Sequence, residues 1–116
     1  MNFSMNYKIR TFEDFDREFR RLSKRYHSLR NDLIALQQEL LEHPDSGIDL
    51  GKGLRKVRMA IRSKGKGKSH GARVITYTII LNVEEGVINL LYIYDKAEKE
   101  NITGKELEAL LKRHGF

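Results

Sequence analysis

The chain has 116 residues, with 22 lysines and arginines against 16 acidic residues and a formal net charge of +6. This length suits one domain, residues 1–116, and the absence of cysteine excludes a disulfide framework, a thiolate nucleophile and a cysteine-based metal site. The positive charge favours a polyanionic partner, with nucleic acid ahead of an anionic membrane.

The N-terminal segment, Met1–Arg10, lacks the apolar run of a signal peptide, and no stretch approaches the roughly 20 apolar residues that span a bilayer. We therefore expect a soluble cytoplasmic protein without a membrane partner. Met5 is an alternative start, and Met1–Ser4 are expected to carry no structure.

In chain order, a short strand is predicted over Asn6–Arg10, and a helix is predicted to begin at a capping box over Thr11–Asp14. Apolar residues recur at helical spacing through this first helix: Phe12, Phe15, Phe19, Leu22 and Tyr26. Ser28 is predicted to cap a second helix that reaches about Glu42. The short link between the helices predicts an antiparallel hairpin.

The second half of the chain is rich in strand patterns. After a loop over His43–Gly53, alternation predicts an amphipathic strand over Leu54–Arg62. Its apolar face carries Val57, Met59 and Ile61, and its cationic face carries Lys56, Arg58 and Arg62. Apolar strands over Ala72–Asn82 and Val87–Tyr94 complete an antiparallel meander. A capping box at Thr103 then predicts a last helix.

These elements predict an α+β fold. An antiparallel sheet carries the N-terminal helix hairpin on one face and ends in a short C-terminal helix. The helices are expected to cover one sheet face and to leave the cationic face open.

The segment from Gly51 to Val83 contains no acidic residue. Its Lys/Gly-rich loop does not match a phosphate-binding loop, because Arg62 and His70 stand where the two common patterns require glycine. A mobile, solvated hairpin loop and a flexible clamp on a nucleic-acid backbone both remain open. RNA-backbone contacts are predicted for the cations of the basic strand, of its loop and after the last strand: Lys52, Arg55, Lys56, Arg62, Lys64, Lys66 and Lys99.

Arg58 and Arg73 are the strongest candidates for a site. Arg58 lies in the middle of the basic strand, and Arg73 begins the next strand. Two guanidiniums on one phosphate would stabilise a pentacoordinate transition state. The alternative is that both arginines simply solubilise a sheet face. His70 is a candidate general acid or base, or a polar loop residue. No two histidines have ligand spacing, so no metal is predicted.

Three runs resemble the RelE/ParE superfamily of type II toxin–antitoxin toxins, nearest the HigB-like branch: Gly53–Arg58, Gly71–Tyr77 and Leu91–Lys96. The resemblance extends from Tyr7 to Leu110. It implies a RelE-like fold and a metal-independent, cofactor-free endoribonuclease that cuts mRNA in the ribosomal A site. It also implies neutralisation by an antitoxin, for which we expect a helix-turn-helix protein.

The resemblance puts Arg58, Arg73 and Lys96 on the active face. Two departures stand out. Asn101 and Ile102 occupy the region where several relatives carry a tyrosine, and His70 precedes Gly71 where glycine is frequent.

The leading hypothesis is therefore an mRNA endoribonuclease in which Lys68, His70 or Lys96 transfers protons. A ParE-like inhibitor of DNA gyrase without nuclease activity is an alternative, kept open by the missing tyrosine. A non-catalytic nucleic-acid-binding module is a third.

Overall fold

The computed structural model describes residues 5–116, so the expectation for Met1–Ser4 lies outside the described residues. The strands and helices, in chain order, are β1 (Asn6–Thr11), α1 (Glu13–Arg25), α2 (Leu29–Glu42), β2 (Ile48–Gly51), β3 (Leu54–Met59), β4 (Ala72–Ile80), β5 (Glu85–Asp95) and α3 (Gly104–Arg113). Two short 3-10 helices, Arg62–Lys64 and Lys68–His70, lie between β3 and β4.

The strands form one five-stranded sheet in the order β1-β5-β4-β3-β2. The predicted meander is confirmed, because β3, β4 and β5 pair antiparallel. The α+β class is confirmed as well, with a helix hairpin after β1 and a short helix near the C-terminus. One pair departs from the predicted antiparallel sheet: β1 runs parallel to β5. The helix hairpin follows β1 directly, so β1 has no hairpin partner in sequence and pairs with a strand much later in the chain.

Strands β4 and β5 and helix α1 lie within about two residues of their predicted bounds, and two other predictions were further off. The segment predicted as a loop over His43–Gly53 contains β2, which pairs antiparallel with the edge of β3. The strand predicted over Leu54–Arg62 ends at Met59, and Arg62 begins a 3-10 helix. Buried Ile61 and the bonds from the Arg62 N–H to Asp32 of α2 draw the chain out of the sheet there.

The predicted helix caps divide into correct and incorrect ones. The capping box at Thr103 and Glu106 is confirmed. The one predicted over Thr11–Asp14 is wrong, because α1 begins after Phe12 and has no side-chain cap. Ser28 does precede α2, but its hydroxyl does not cap the helix. It donates to the Asp32 carboxylate instead.

The helix hairpin packs on the first face of the sheet. Side chains from α1 and α2 meet alternating residues of β3, β4 and β5 in the larger hydrophobic core. Its buried members include Phe15, Leu22, Leu29, Leu36, Leu40, Val57, Met59, Val74, Ile88 and Leu90. The predicted apolar face of β3 is therefore confirmed, since Val57 and Met59 are buried.

The second face of the sheet is covered in part, which corrects the expectation that all helices lie on one face. A smaller core joins α3 to β3, β4 and β5 through Leu54, Ile75, Leu91, Tyr94, Ile102 and Leu110. On β4 the apolar residues of this face end at Ile75, and Arg73 follows beside Tyr94 of β5. Arg58, opposite Arg73 on β3, is exposed. Within residues 5–116, no helix combines the length and the apolar character that crossing a membrane requires.

Gly71 fills a position where a side chain does not fit. A Cβ added there would overlap the Met59 carbonyl oxygen and lie 3.0 Å from the Ile61 nitrogen. Both are backbone atoms of the facing strand and its continuation, so they cannot move aside without breaking the β3–β4 register. This gives a physical reason for glycine before Arg73.

We expect Gly71→Ala to lower the free energy of unfolding by about 1–3 kcal/mol, because the added methyl group forces the strands apart. Urea denaturation measures this difference. Gly104→Ala is the matched control, since nothing lies within 4 Å of its added Cβ. Equal stability of the two variants would contradict the steric explanation.

Candidate active site

The open end of the second sheet face brings two arginines together. In the β3–β4 ladder Arg58 lies directly opposite Arg73, and Lys56 lies opposite Ile75. Side chains at facing positions of antiparallel strands have Cβ atoms about 4.5–5.5 Å apart. Arg58 and Arg73 therefore belong to one surface, as the endoribonuclease hypothesis requires.

These residues line a cleft of about 380 Å³ between the sheet, α2 and the loop after β3. We call it the cationic cleft; its lining includes Lys56, Arg58, Lys68, Arg73 and Lys96. The other wall is formed by Glu39, Ser46, Gly47 and Ile48. Glu39 is the only carboxylate in this lining, so the cleft carries a strong positive field.

Arg73 is buried, with 6% of its surface exposed. Its guanidinium donates to the carbonyl oxygens of Lys68 at 3.1 Å, Ser69 at 3.2 Å and Ala72 at 3.2 Å. Burial, followed by the charge of Arg58, lowers the pKa of Arg73 below its ordinary value. All three acceptors are neutral, so Arg73 keeps its charge for an anion in the cleft.

Arg58 complements Arg73 because its side chain is exposed. Among residues 5–116 its guanidinium has neither an acidic partner nor a hydrogen-bond acceptor. A guanidinium in this state has all its donors available, in a planar fork that matches phosphate oxygens. The pair thus combines one fixed cation with one that is free to move.

The candidate proton carriers are divided between two neighbouring sites. Lys68 and Lys96 line the cationic cleft, where Lys68 Nζ lies 3.4 Å from both Glu39 carboxylate oxygens. Lys96 Nζ donates to the Glu100 carbonyl oxygen at 2.5 Å. His70 instead lines an adjacent depression of about 470 Å³, which also includes Lys64, Lys66 and Lys96. Lys96 therefore lies between the two sites.

Three of the predicted RNA-contacting residues lie apart from the cleft. Arg55 and Arg58 are an odd number of residues apart in β3, so they belong to opposite faces of the sheet. The Arg55 guanidinium donates to the Asp45 carbonyl oxygen at 2.7 Å. Arg62 faces Asp32 at 4.0 Å. Lys52 occupies the turn before β3, about 13 Å or more along the strand from the Arg58 position.

The remaining candidates differ in their partners. Lys56 lines the cleft and donates to the Asn101 side chain at 2.9 Å. Lys66 is exposed in the adjacent depression. Lys99 pairs with Glu106 at 2.5 Å. Lys64 is half-buried and donates to Asp95 Oδ1 at 2.6 Å.

Asp95 was not predicted from the sequence as part of the site. Its side chain is buried, and it accepts hydrogen bonds from Lys64 and Ala97 N–H at Oδ1 and from Tyr26 at Oδ2. Burial alone would raise the pKa of Asp95, but the bonds from Lys64, Tyr26 and Ala97 lower it below its ordinary value. The bond to Asp95, followed by burial, raises the pKa of Tyr26. The feature of the sequence that could have indicated Asp95 is its position as an acidic residue at the end of an apolar strand.

A mixed sheet with a helix hairpin on one face and a cation-lined cleft at the open end of β3 and β4 defines a small α+β protein with a basic cleft. The model of the family described as RelE toxin of RelE / RelB toxin-antitoxin system matches residues 8–114. The chain belongs to this family of toxins. Membership implies an antitoxin as a partner, and the predicted HigB-like branch stays a prediction because the match is to the family as a whole.

The lowered pKa of Asp95 predicts how stability changes with pH. A carboxyl with a lowered folded-state pKa contributes stability that is present above its unfolded pKa of about 4 and lost as the pH falls through the folded value. At neutral pH we expect Asp95→Asn to cost about 3–5 kcal/mol of unfolding free energy, because it leaves half-buried Lys64 without its carboxylate. Below about pH 4 we expect the difference in unfolding free energy between Asp95→Asn and the unchanged protein to become smaller.

Urea denaturation between about pH 7 and pH 3 measures this difference. Asp45→Asn is the control: its residue is exposed, and we expect less than about 0.5 kcal/mol at any pH. A cost for Asp95→Asn that is small at neutral pH, or that grows towards acid pH, would contradict the assignment.

Proposed function

We propose that this toxin is a metal-independent endoribonuclease that cuts mRNA on the ribosome and thereby inhibits translation. The observation that carries the proposal is the position of Arg58 opposite Arg73 in a cleft lined by further cations. Membership of the RelE toxin family supports the same activity.

The proposed reaction uses the RNA's own nucleophile. The ribose 2′-oxygen attacks the adjacent phosphorus and loses its proton, and the bond from phosphorus to the 5′-oxygen breaks. The products are a 2′,3′-cyclic phosphate and a 5′-hydroxyl, which takes up a proton. Arg58 and Arg73 would stabilise the added charge on the pentacoordinate phosphorus, and one well-placed donor is worth about 3–4 kcal/mol in such a site.

Proton transfer is assigned to the lysines of the cleft. Lys68 and Lys96 both line the cationic cleft, whereas His70 lines the depression beside it. We propose that Lys68 or Lys96 serves as the acid or base, and that His70 contacts the RNA further along its path.

For binding, we propose that the RNA backbone follows the cations that remain available. Lys56 lies in the cleft and Lys66 in the adjacent depression, so the two sites together would hold successive phosphates. We assign no RNA contact to Lys64 and Lys99, whose ammonium groups are paired with carboxylates. The other proposed partners are the ribosome and a helix-turn-helix antitoxin.

We expect Arg58→Ala to slow mRNA cutting about a hundred- to a thousand-fold, because it removes one donor to the transition state. Primer extension on a reporter mRNA during cell-free translation measures the cutting. Arg10→Ala is the matched control: Arg10 is also an exposed strand arginine, but it lies on β1 at the far edge of the sheet. We expect it to cut at nearly the unchanged rate.

Three results would contradict the proposal. Equal activity of Arg58→Ala and the unchanged protein would remove the role of the arginine pair. Inhibition of DNA supercoiling by gyrase with intact mRNA would favour the ParE-like alternative. Binding without cutting, with log affinity falling about 0.9 per phosphate contacted against log salt on a duplex, would favour a plain nucleic-acid-binding module.

A further inference from the structure

The loop over residues 62–71, which we call the basic loop, presents cations to both the cleft and the depression. Its backbone turns at Gly65 and Gly67, with φ of 68° and 74°. A glycine-rich segment loses much conformational entropy when it is ordered. The loop therefore needs fixed attachments if Lys68 is to stay beside Arg58 and Arg73.

Asp95 supplies the main attachment through a buried carboxylate. Lys64 Nζ donates to its Oδ1 at 2.6 Å, and Tyr26 Oη donates to its Oδ2 at 2.5 Å. The Ala97 N–H donates to the same Oδ1 at 3.0 Å. One side chain thus joins the start of the basic loop, the end of α1 and the segment that carries Lys96.

The far end of the basic loop is tied to the same place. Lys64 Nζ also donates to the His70 carbonyl oxygen at 2.9 Å, and the Lys96 N–H donates to the Gly71 carbonyl oxygen at 3.0 Å. Arg73 holds the carbonyl oxygens of Lys68 and Ser69 in between. The loop is consequently closed on itself and attached to the residue before Lys96.

We propose that Asp95, with Tyr26 and Lys64, is a positioning cluster that holds Lys68 and Lys96 in the lining of the cationic cleft. The proposal rests on the proposed nuclease function and adds residues that act on the reaction without touching RNA. Asp95 has no exposed surface, so its carboxylate acts only through the groups that it orients. Buried ion pairs are in general poor stabilisers compared with apolar side chains, which makes geometry the better reason for this one.

The test compares Asp95→Asn with Asp14→Asn. Asp14 is also buried, at 5% exposure, and pairs with Arg113 of α3. It lies in the contact between α1 and α3, away from the residues that line the cleft. Both variants remove a buried carboxylate that pairs with a cation, although Arg113 is exposed and Lys64 is half-buried. A difference in activity between the two folded variants is therefore not explained by the loss of a buried carboxylate alone.

The readout is the rate of mRNA cutting on programmed ribosomes, measured across toxin concentrations at a temperature where both variants are folded. We expect Asp95→Asn to lower the maximal rate of cutting at least about tenfold, because one catalytic group would be misplaced. The toxin concentration that gives half the maximal rate is expected to change by less than about threefold. Asp14→Asn is expected to keep the maximal rate. Tyr26→Phe, which removes a single hydrogen bond, should fall between them.

Two substitutions of Lys64 give a second test of the positioning role. Lys64→Arg keeps a charged donor for Asp95 and is expected to retain more of the maximal rate than Lys64→Met. Equal losses in these two variants, or equal losses in Asp95→Asn and Asp14→Asn, would overturn the positioning role.

Hydrogen exchange tests the cluster without relying on cutting. The N–H groups of Gly65, Gly71 and Lys96 are hydrogen-bonded to backbone carbonyls within or beside the basic loop. We expect Asp95→Asn to speed their exchange at least about tenfold relative to strand β4, and Asp14→Asn to leave this ratio unchanged. Unchanged exchange in Asp95→Asn would overturn the proposal. If the unchanged protein cuts no RNA, the proposed function fails, and the exchange result still decides whether Asp95 orders the loop.

Discussion

The register of β3 against β4 sets Arg58 opposite Arg73, and the rest of the site depends on this contact between like charges. Like charges at facing strand positions are destabilising. Neither of the two guanidiniums is neutralised by a carboxylate in return. Arg73 is surrounded by carbonyl oxygens, which solvate a guanidinium but carry no net charge, and Arg58 remains in water. The cleft thus keeps two full positive charges for an incoming anion.

The contrast with the other arginines shows that this arrangement is local. On α1, Arg21 and Arg25 both contact the Glu98 carboxylate, at 2.8 Å and 3.3 Å. Arg113 pairs with buried Asp14. Charge is cancelled in these three places, whereas Arg58 and Arg73 face each other across the two strands of the cleft.

The basic loop depends on the same principle of fixed partners. Its backbone carbonyls bind Arg73, and its Lys64 binds Asp95, so the two ends of a flexible segment are held by groups from the strands. Under the proposed function, ordering the loop before RNA binds would reduce the entropy lost at binding and in the transition state. The strands therefore position Arg58 and Arg73 directly, and they position the cations of the basic loop through these attachments.

Much of the fold was open to sequence reasoning because the signals are local. Helical spacing from Phe12 to Tyr26, strand alternation around Val57 and the Thr103 capping box each involve residues close in the chain. Strand β2 gave no such signal: it has four residues and is bounded by glycines, and its conformation comes from pairing with β3. The parallel pairing of β1 with β5 likewise depends on contacts across most of the chain.

By itself, the sequence determined that a strand with one apolar and one cationic face would exist, that Arg58 would lie on the cationic face, and that no acid would interrupt the segment from Gly51 to Val83. Only the tertiary structure decided which cations are available. Lys64 and Lys68 look alike in the sequence, yet Lys64 is half-buried and paired with a buried carboxylate 31 positions away. Lys68 is exposed, lines the cleft and lies 3.4 Å from half-buried Glu39. The physical reason is that ion pairing and burial depend on distances in space, which a local pattern does not contain.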